Sequence, residues 1–318
     1  MKKNIMIIIF LVIAVIIPFV TNNFILRFAT DILIFAIMAS AWNIIGGYTG
    51  YASFGNVVFF GIGAYITAIF MNVLNVNFFI ALFLSGLGGG LFAFIMGLPI
   101  LRLTGHYFAI ATLGIAEAMK ALVQNLEITE GNGGMYLPVM DLSVNASYKF
   151  FYFTALGVLI ILLIVTALVL KSKLGYGFIA IREDEDAANS LGINTTIFKC
   201  VSFAISGFFT SLAGSIYAYQ QGFIKPEPVF SVLITVKMIV MAVFGGIGSL
   251  FGPLIGAATI EVISEFLSNY FLVAHTLFFG TIIIVAILFF PKGISDMFSG
   301  RKKIGLSYFL ENIRQHKI

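Results

Sequence analysis

The chain has 318 residues, of which 60% are hydrophobic, 15% aromatic and only 10% charged. Soluble domains carry roughly 45–50% apolar and about 25% charged residues. The composition therefore excludes an ordinary soluble domain, a disordered chain and a nucleic-acid binder. The formal charge of +4 includes 18 lysines and arginines, which we interpret as markers of membrane topology and not as a nucleic-acid surface. Cys200 is the single cysteine, which rules out an internal disulfide and a multi-thiolate metal site within this chain. What remains is an all-α polytopic helical membrane protein.

Apolar runs of about the 20 residues that a membrane helix needs recur along the whole chain. They lie at roughly 5–20, 29–45, 55–72, 78–101, 107–124, 150–170, 198–219, 231–247, 252–272 and 275–290. The first run lacks a small-residue cleavage site, so we interpret it as a retained span and not as a signal peptide. The runs at 107–124 and 231–247 contain charges, and we therefore expect about eight to ten transmembrane helices, some of them broken or re-entrant.

The lysines and arginines predict the orientation. With a cytoplasmic N-terminus and ten crossings, all but five of the 18 basic residues fall on the inner side; the five are Arg27, Lys120, Lys149, Lys225 and Lys237. The positive-inside rule then predicts that both termini are cytoplasmic. We expect one transmembrane domain over 1–300, an inner loop at 171–199 that holds most of the charge, and a basic cytoplasmic tail at 301–318 lying on membrane lipid.

Glycines are concentrated in two clusters, GGYTGYASFGNVVFFGIGAY at 46–65 and GGIGSLFGPLIGAA at 245–258. Four-residue spacings such as Gly86/Gly90 permit close helix packing. A helix broken at membrane depth, in contrast, frees backbone groups that lipid cannot satisfy, and such segments often line a translocation path. Both interpretations stay open for the two clusters.

Charged residues also fall inside or at the edges of the apolar runs: Asp31, Glu117, Lys120, Lys237, Glu261 and Glu265. Structural pairing or solvation at the interface explains them, and proton coupling in a secondary transporter is the alternative. The three histidines are scattered, and no metal-binding or phosphate-loop motif is present. We therefore expect no cofactor, no metal and no ATP site in this chain, so any ATP hydrolysis must come from a partner.

The inner loop contains a predicted helix from Ala180 to Leu191, ended by Gly192. Within it, Asp186-Ala187-Ala188 precedes Gly192, and we expect the two alanines to form a flat face that a partner's cleft can hold. The alternative is a solvated connector.

This pattern resembles Glu-Ala-Ala-x-x-x-Gly, the coupling loop of permeases in ABC importers. The surrounding GFIAIREDEDAANSLGIN is similar to the loop of branched-chain amino acid permeases, as are GGYTGYASFGNVVFFGIGAY and RLTGHYFAIATLGIAEA before it. AGSIYAYQQGFIKPEPVF and MAVFGGIGSLFGPLIGAA fit the same family downstream. The resemblance covers roughly residues 30–290 and is greatest to the M-type permease subunit.

The resemblance implies a permease in a bacterial or archaeal inner membrane, with a second permease subunit, two cytoplasmic ATPase subunits and an extracytoplasmic substrate-binding protein as partners. Whether the permease pair is a heterodimer or a homodimer is left open. The residues expected to couple to the ATPase are Ile181, Arg182, Glu183, Asp184, Asp186, Ala187, Ala188 and Gly192. Those expected along the translocation path are Gly50, Ser53, Gly55, Asn56, Thr129, Gly131, Gly133 and Gly134, with packing and turns as the alternative role.

Two positions depart from the family's pattern. Asn56 stands where many members carry His, and Thr129-Glu130-Gly131 stands where Thr-Gly-Gly is usual. The same family includes permeases for urea and short amides, so these changes leave the substrate open between those compounds and leucine, isoleucine and valine. A proton-coupled secondary transporter and a passive channel are the alternatives outside the family.

Overall fold

The computed structural model describes residues 14–270, and within them nearly all regular structure is helical. Residues 14–20 are helical. The long helices that follow are α1 (Asn23–Asn43), α2 (Val57–Asn72), α3 (Phe78–Ile100), α4 (Gly105–Asn125) and α5 (Val144–Leu170). After them come α6 (Lys173–Glu183), α7 (Glu185–Ser190), α8 (Thr195–Gln221), α9 (Pro226–Val229), α10 (Val232–Gly245) and α11 (Gly252–Tyr270). The predicted span at 275–290, the tail at 301–318 and most of the first span lie outside the described residues.

Five helical segments within residues 14–270 are long and apolar enough to cross a membrane: Asn23–Tyr48, Phe78–Ile100, Val144–Leu170, Thr195–Gln221 and Pro226–Gly245. Val57–Asn72 is a shorter apolar helix. These segments coincide with predicted runs, and they confirm an all-α, multi-pass membrane protein. α1 begins earlier than predicted because the Asn22 side chain caps it, accepting a hydrogen bond from the Ile25 amide at 2.9 Å.

Helix α8 is the centre of the bundle and packs against α1, α2, α3 and α5. Its contacts with α2 and α3 are close because glycines remove the side chains between the backbones. A Cβ atom on Gly214 would lie 2.0 Å from the Phe60 carbonyl oxygen, and one on Gly63 would lie 2.0 Å from that of Ser211. A Cβ on Gly86 would lie 2.8 Å from the Leu212 side chain, which confirms the close-packing interpretation of that glycine.

Two short strands mark the end of the bundle away from the inner loop. β1 (Met135–Tyr136) pairs antiparallel with β2 (Phe223–Ile224), with Met135 opposite Ile224. We call this the opposite end, and we call the end that carries residues 171–194 the loop end. Because α5 precedes the inner loop and α8 follows it, α5 runs toward the loop end and α8 runs away from it.

Candidate functional site

The first glycine cluster is a broken helix, which is one of the two interpretations that the sequence left open. α1 passes at Ile44 into a π-helical turn, Ile44–Tyr48, and residues 49–56 are irregular until α2 begins at Val57. This irregular segment, 49–56, starts at the loop end beside the inner loop and enters the packed interior between α4, α8 and α10.

Side chains of neighbouring helices satisfy the freed backbone groups of the irregular segment. The Trp42 indole N–H donates to the Ser53 carbonyl at 2.8 Å. The Phe54 amide donates to the Thr112 hydroxyl, and the Val57 amide donates to the Thr235 hydroxyl, both at 3.1 Å. Because lipid offers no such partners, irregular backbone at this depth is stable only where protein covers it in this way.

Asn56 and Gly55 lie in the tightly packed part of this segment. The Asn56 side-chain N–H donates to the Ser206 hydroxyl at 2.8 Å, while its carbonyl oxygen is buried with no hydrogen-bond partner among residues 14–270. A Cβ atom on Gly55 would lie 2.6 Å from the Thr112 carbonyl oxygen. The cavity beside Gly55 has a volume of only about 10 Å³, the space that one water needs, so this conformation is closed here.

The second glycine cluster is also a broken helix, and it meets the first. α10 ends at Gly245 and α11 begins at Gly252. The Asn43 side chain bridges the two clusters: its carbonyl oxygen accepts from the Gly248 amide at 2.9 Å, and its N–H donates to the Ser249 carbonyl at 3.0 Å. We call this contact the Asn43 junction. It lies at the loop end, where Gly47 also packs against Gly248.

Arg182 connects the inner loop to the Asn43 junction. Its guanidinium donates to the Gly47 carbonyl at 3.2 Å and pairs with Glu183 at 2.6 Å. A Cβ atom on Gly50 would lie 2.9 Å from Arg182 Cγ, so the irregular segment lies directly against this side chain. The loop therefore contacts both broken helices through one residue.

The inner loop forms two helices where the sequence predicted one from Ala180 to Leu191. α6 ends at Glu183, and Asp184 has extended backbone angles of φ −161° and ψ 112°. Its carboxylate accepts a hydrogen bond from the Ala187 amide at 2.9 Å and caps α7. The single-helix prediction was wrong because an aspartate satisfies a helix N-terminus better than it satisfies a helix interior.

The end of α7 is as predicted. Gly192 has a left-handed φ of +85°, which a residue with a side chain rarely adopts. Its amide donates to the Asn189 carbonyl at 2.9 Å, and the Ile193 amide donates to the Ala188 carbonyl at 3.1 Å. These two bonds form the Schellman motif that ends many helices with glycine.

The predicted flat face of two alanines is wrong. Ala188 is 2% exposed and packs inside the protein with Ile181 and Tyr51, whereas Ala187 is exposed. Consecutive residues on a helix point about 100° apart, so two adjacent alanines do not share a face. The exposed surface of α7 instead carries Asp186, Ala187 and the following Leu191, whose side chain is 82% exposed.

Three residues that the sequence analysis did not select form a buried polar cluster beneath α7: Tyr51, Glu185 and Lys199. The Lys199 ammonium donates to Glu185 Oε1 at 2.5 Å, to the Leu101 carbonyl at 2.7 Å and to the Tyr51 hydroxyl at 3.0 Å. The Tyr51 hydroxyl donates in turn to the other oxygen of Glu185. Burial raises the pKa of Glu185, but the hydrogen bonds from Lys199 and Tyr51 outweigh burial, and the pKa is lowered from its ordinary value.

The other predicted path residues lie in turns at the opposite end; they are Thr129, Gly131, Gly133 and Gly134. The Thr129 hydroxyl donates to the Val123 and Leu126 carbonyls at 2.6 and 2.8 Å, satisfying carbonyls where α4 ends. Gly134 has a φ of +83°, and a Cβ atom there would lie 2.4 Å from the Ile224 carbonyl oxygen. Gly131 also has positive φ, and Gly133 has open space around it. The structure therefore separates this set from Gly50, Ser53, Gly55 and Asn56, although both sets flank α2.

The intramembrane charges within the described residues have partners. Lys237 pairs with Glu261 at 2.5 Å and lies 4.1 Å above the Phe35 ring, and Glu117 pairs with Lys120 one turn along α4. Asp31 accepts a hydrogen bond from Gln220 at 3.3 Å. These contacts support the structural-pairing interpretation of the charged residues.

Comparison with known proteins adds to this geometry. Residues 24–288 match the family described as "Branched-chain amino acid transport system / permease component". The chain is 32% identical, over 93% of its own length and 76% of the relative's, to the high-affinity branched-chain amino acid transport system permease protein LivM of Salmonella typhimurium. The corresponding protein of Escherichia coli is 31% identical over the same shares. The autoinducer 2 import system permease protein LsrC of Yersinia enterocolitica is 32% identical over 61% of this chain and 55% of its own.

No solved structure gave a significant match to the chain. The family match covers most of the helical bundle described above, including the irregular segment, the inner loop and the Asn43 junction. The chain therefore belongs to the family of permease components of branched-chain amino acid transport systems.

Proposed function

We propose that the chain is a membrane permease subunit of an ATP-driven importer for the branched-chain amino acids leucine, isoleucine and valine. The observation that carries the proposal is the inner loop: its helices α6 and α7 are attached through Arg182 and Glu185 to the first broken helix of the bundle. Such an arrangement suits a helix that receives movement from a partner protein and passes it to the membrane helices. The two LivM relatives, by their names, support the substrate class.

Three kinds of partner follow from this proposal. The sequence carries no phosphate-binding loop, so two cytoplasmic ATPase subunits supply the hydrolysis. A second permease subunit completes the membrane pore, and an extracytoplasmic binding protein delivers the substrate. Both termini are cytoplasmic in a bacterial or archaeal inner membrane, which places the inner loop on the same side as the ATPases.

In the proposed coupling step, α7 sits in a cleft of one ATPase subunit. Asp186, Ala187 and Leu191 contact that cleft, because they are among the residues that α7 and its end leave exposed. Closure of the ATPase pair on ATP then moves α6 and α7 as a rigid pair and changes which side of the membrane the pore opens to. Ile181 and Ala188 act from beneath, as the buried face on which the two helices rest.

The irregular segment is the proposed wall of the path, where the chain passes from the loop end into the interior of the bundle. Ser53, Gly55 and Asn56 are buried among packed helices in this conformation, so the path opens there only when the helices move apart. The unpaired side-chain oxygen of Asn56 supports this role, because it is a hydrogen-bond acceptor suited to the ammonium group of an amino acid. Thr129, Gly131, Gly133 and Gly134 form the proposed outer entrance.

The first test identifies the energy source. The permease pair, assembled with its ATPases in membrane vesicles and supplied with binding protein and leucine, should accumulate leucine when ATP is present inside. An ionophore that collapses ion gradients should leave this uptake largely intact. If the ionophore abolishes uptake and the rate of uptake does not depend on ATP, the result would indicate the proton-coupled alternative instead.

The second test addresses the docking helix. Ala187→Trp adds bulk to the exposed side of α7, and we expect it to abolish ATP-driven uptake and ATPase co-purification while membrane insertion continues. Ile161→Trp introduces the same side chain at an exposed position in the span α5 and is the control, with uptake retained. Normal uptake by Ala187→Trp would contradict docking through this face.

A third measurement separates the substrates. Calorimetric titration of the cognate binding protein with leucine, isoleucine and valine should show binding, and titration with urea and acetamide should not. The opposite pattern would assign the permease to the urea and short-amide branch of the family and leave the coupling mechanism unchanged.

A further inference from the structure

The cluster of Tyr51, Glu185 and Lys199 joins three parts of the molecule. Glu185 is the first residue of α7, Lys199 lies in the second turn of α8, and Tyr51 belongs to the irregular segment. The Leu101 carbonyl, just past the end of α3, is the fourth member. The cluster is the place where the proposed docking helix, two membrane helices and the proposed path wall all touch.

Lys199 is fixed unusually well for a lysine. Its side chain is buried, with 4% of the residue exposed, and its ammonium group has three N–H donors and three acceptors. The ammonium also lies 4.7 Å from the centre of the Tyr51 ring. A buried charge with every donor paired resists displacement, because losing any one partner leaves part of the charge unsatisfied. A displacement of Glu185 therefore displaces Lys199 or Tyr51 with it.

Tyr51 is the member that carries this displacement into the path wall. Its hydroxyl binds both Glu185 and Lys199, and its ring packs edge-on against Phe108 of α4 at 5.3 Å. The residue before it, Gly50, packs against Arg182, and two residues after it the Ser53 carbonyl is bonded to Trp42. The irregular segment is thus held at adjacent residues by the inner loop and farther on by α1.

We propose that Tyr51, Glu185 and Lys199 are positioning residues that transmit movement of α7 to the irregular segment 49–56 and thereby link ATP hydrolysis to opening of the path. This inference rests on the proposed function. It adds to it the residues through which the docking helix acts on the path. Docking through the exposed face of α7 and transmission through this buried cluster are separate steps, so the two can be disrupted separately.

The test measures uptake and ATP hydrolysis in the same vesicles, on the assembled importer with binding protein and leucine. Tyr51→Phe removes one hydroxyl and keeps the ring on Phe108, and Glu185→Gln removes the charge and keeps the side-chain shape. We expect both variants to assemble with the ATPases and to hydrolyse ATP at the wild-type rate. Leucine uptake should fall by about tenfold, so that more ATP is consumed per leucine.

Lys149→Met is the control, since Lys149 lies in α5 near the opposite end, where its ammonium contacts the Phe19 ring. Its uptake and hydrolysis should both match the wild type. A purely structural role for the cluster predicts that assembly, hydrolysis and uptake fall together, and that result would overturn the inference, as would unchanged uptake in both variants. If the wild-type complex itself shows no ATP-driven uptake, the proposed function fails as well, and this outcome is recognised before any variant is compared.

Discussion

The Asn43 side chain uses both ends of its amide to join the broken helices, accepting from Gly248 and donating to Ser249 at 2.9 and 3.0 Å. Asn43→Leu keeps the branched shape of the side chain and removes both bonds, leaving the Gly248 amide and the Ser249 carbonyl to find new partners. We expect a loss of about 1–3 kcal/mol in the free energy of unfolding. Cys200, the only cysteine, is fully buried, so the temperature at which a thiol-reactive dye labels it measures unfolding.

Asn72→Leu is the matched control for this prediction. Its amide also donates to a backbone carbonyl, that of Tyr136, but it does so at the exposed opposite end where water can replace the bond. We expect its labelling temperature to stay close to the wild-type value. Equal temperatures for Asn43→Leu and Asn72→Leu would show that the junction adds nothing to stability.

At this scale the sequence predicted what depends on near neighbours. Gly192 was recognisable because a helix end and its glycine are local in the chain. The burial of Ala188 was not, since it depends on what lies beneath α7. The pairing of Glu185 with Lys199 crosses a turn and a helix boundary, and Tyr51 comes from more than a hundred residues earlier. Glu185 stands among other charged residues in the inner loop, and nothing in the sequence distinguishes it as the carboxylate that points inward.

At the scale of the elements, α2 and α8 are in backbone contact at two glycines. A Cβ atom on Gly214 would lie 2.0 Å from the Phe60 carbonyl oxygen, far inside van der Waals contact, so Gly214→Ala must push the helices apart. We expect a loss of about 1–3 kcal/mol from this overpacking, measured by the same labelling of Cys200. Gly157→Ala in α5, where nothing lies within 4 Å, should be neutral or slightly stabilising. Equal behaviour of the two variants would refute the close contact.

The helices themselves were largely predictable, because a membrane span is set by the length of an apolar run. For the two glycine clusters the sequence left close packing and broken helices open, and the structure has a broken helix at both. The break between α6 and α7 was missed since Asp184 was placed inside a single helix from Ala180 to Leu191, although its capping bond to Ala187 explains the break. That the two glycine clusters touch could not be predicted, because Asn43 and Ser249 are 206 residues apart.

At the scale of the whole molecule, the contacts at the two ends agree on the direction of the long helices within residues 14–270. At the loop end, Arg182 donates to the Gly47 carbonyl after α1, and Lys199 donates to the Leu101 carbonyl after α3. Gly248, before α11, lies beside Gly47 and Arg182. Asn72 at the end of α2 bonds the Tyr136 carbonyl of the opposite end, and Leu137 bonds Gly222 after α8 at 2.9 Å. Successive helices therefore alternate, which fits the predicted cytoplasmic placement of the inner loop.

This alternation gives a direct test of orientation. In a Cys200→Ser background, Val139→Cys places a thiol at the opposite end, where the native side chain is 92% exposed, and Lys171→Cys places one at the exposed start of the inner loop. A membrane-impermeant maleimide should label Val139→Cys in intact cells and should label Lys171→Cys only after permeabilisation, because basic loops stay inside. The reverse pattern would put α7 outside the cell. No cytoplasmic ATPase could then reach it, so this single measurement tests the topology and the coupling proposal together.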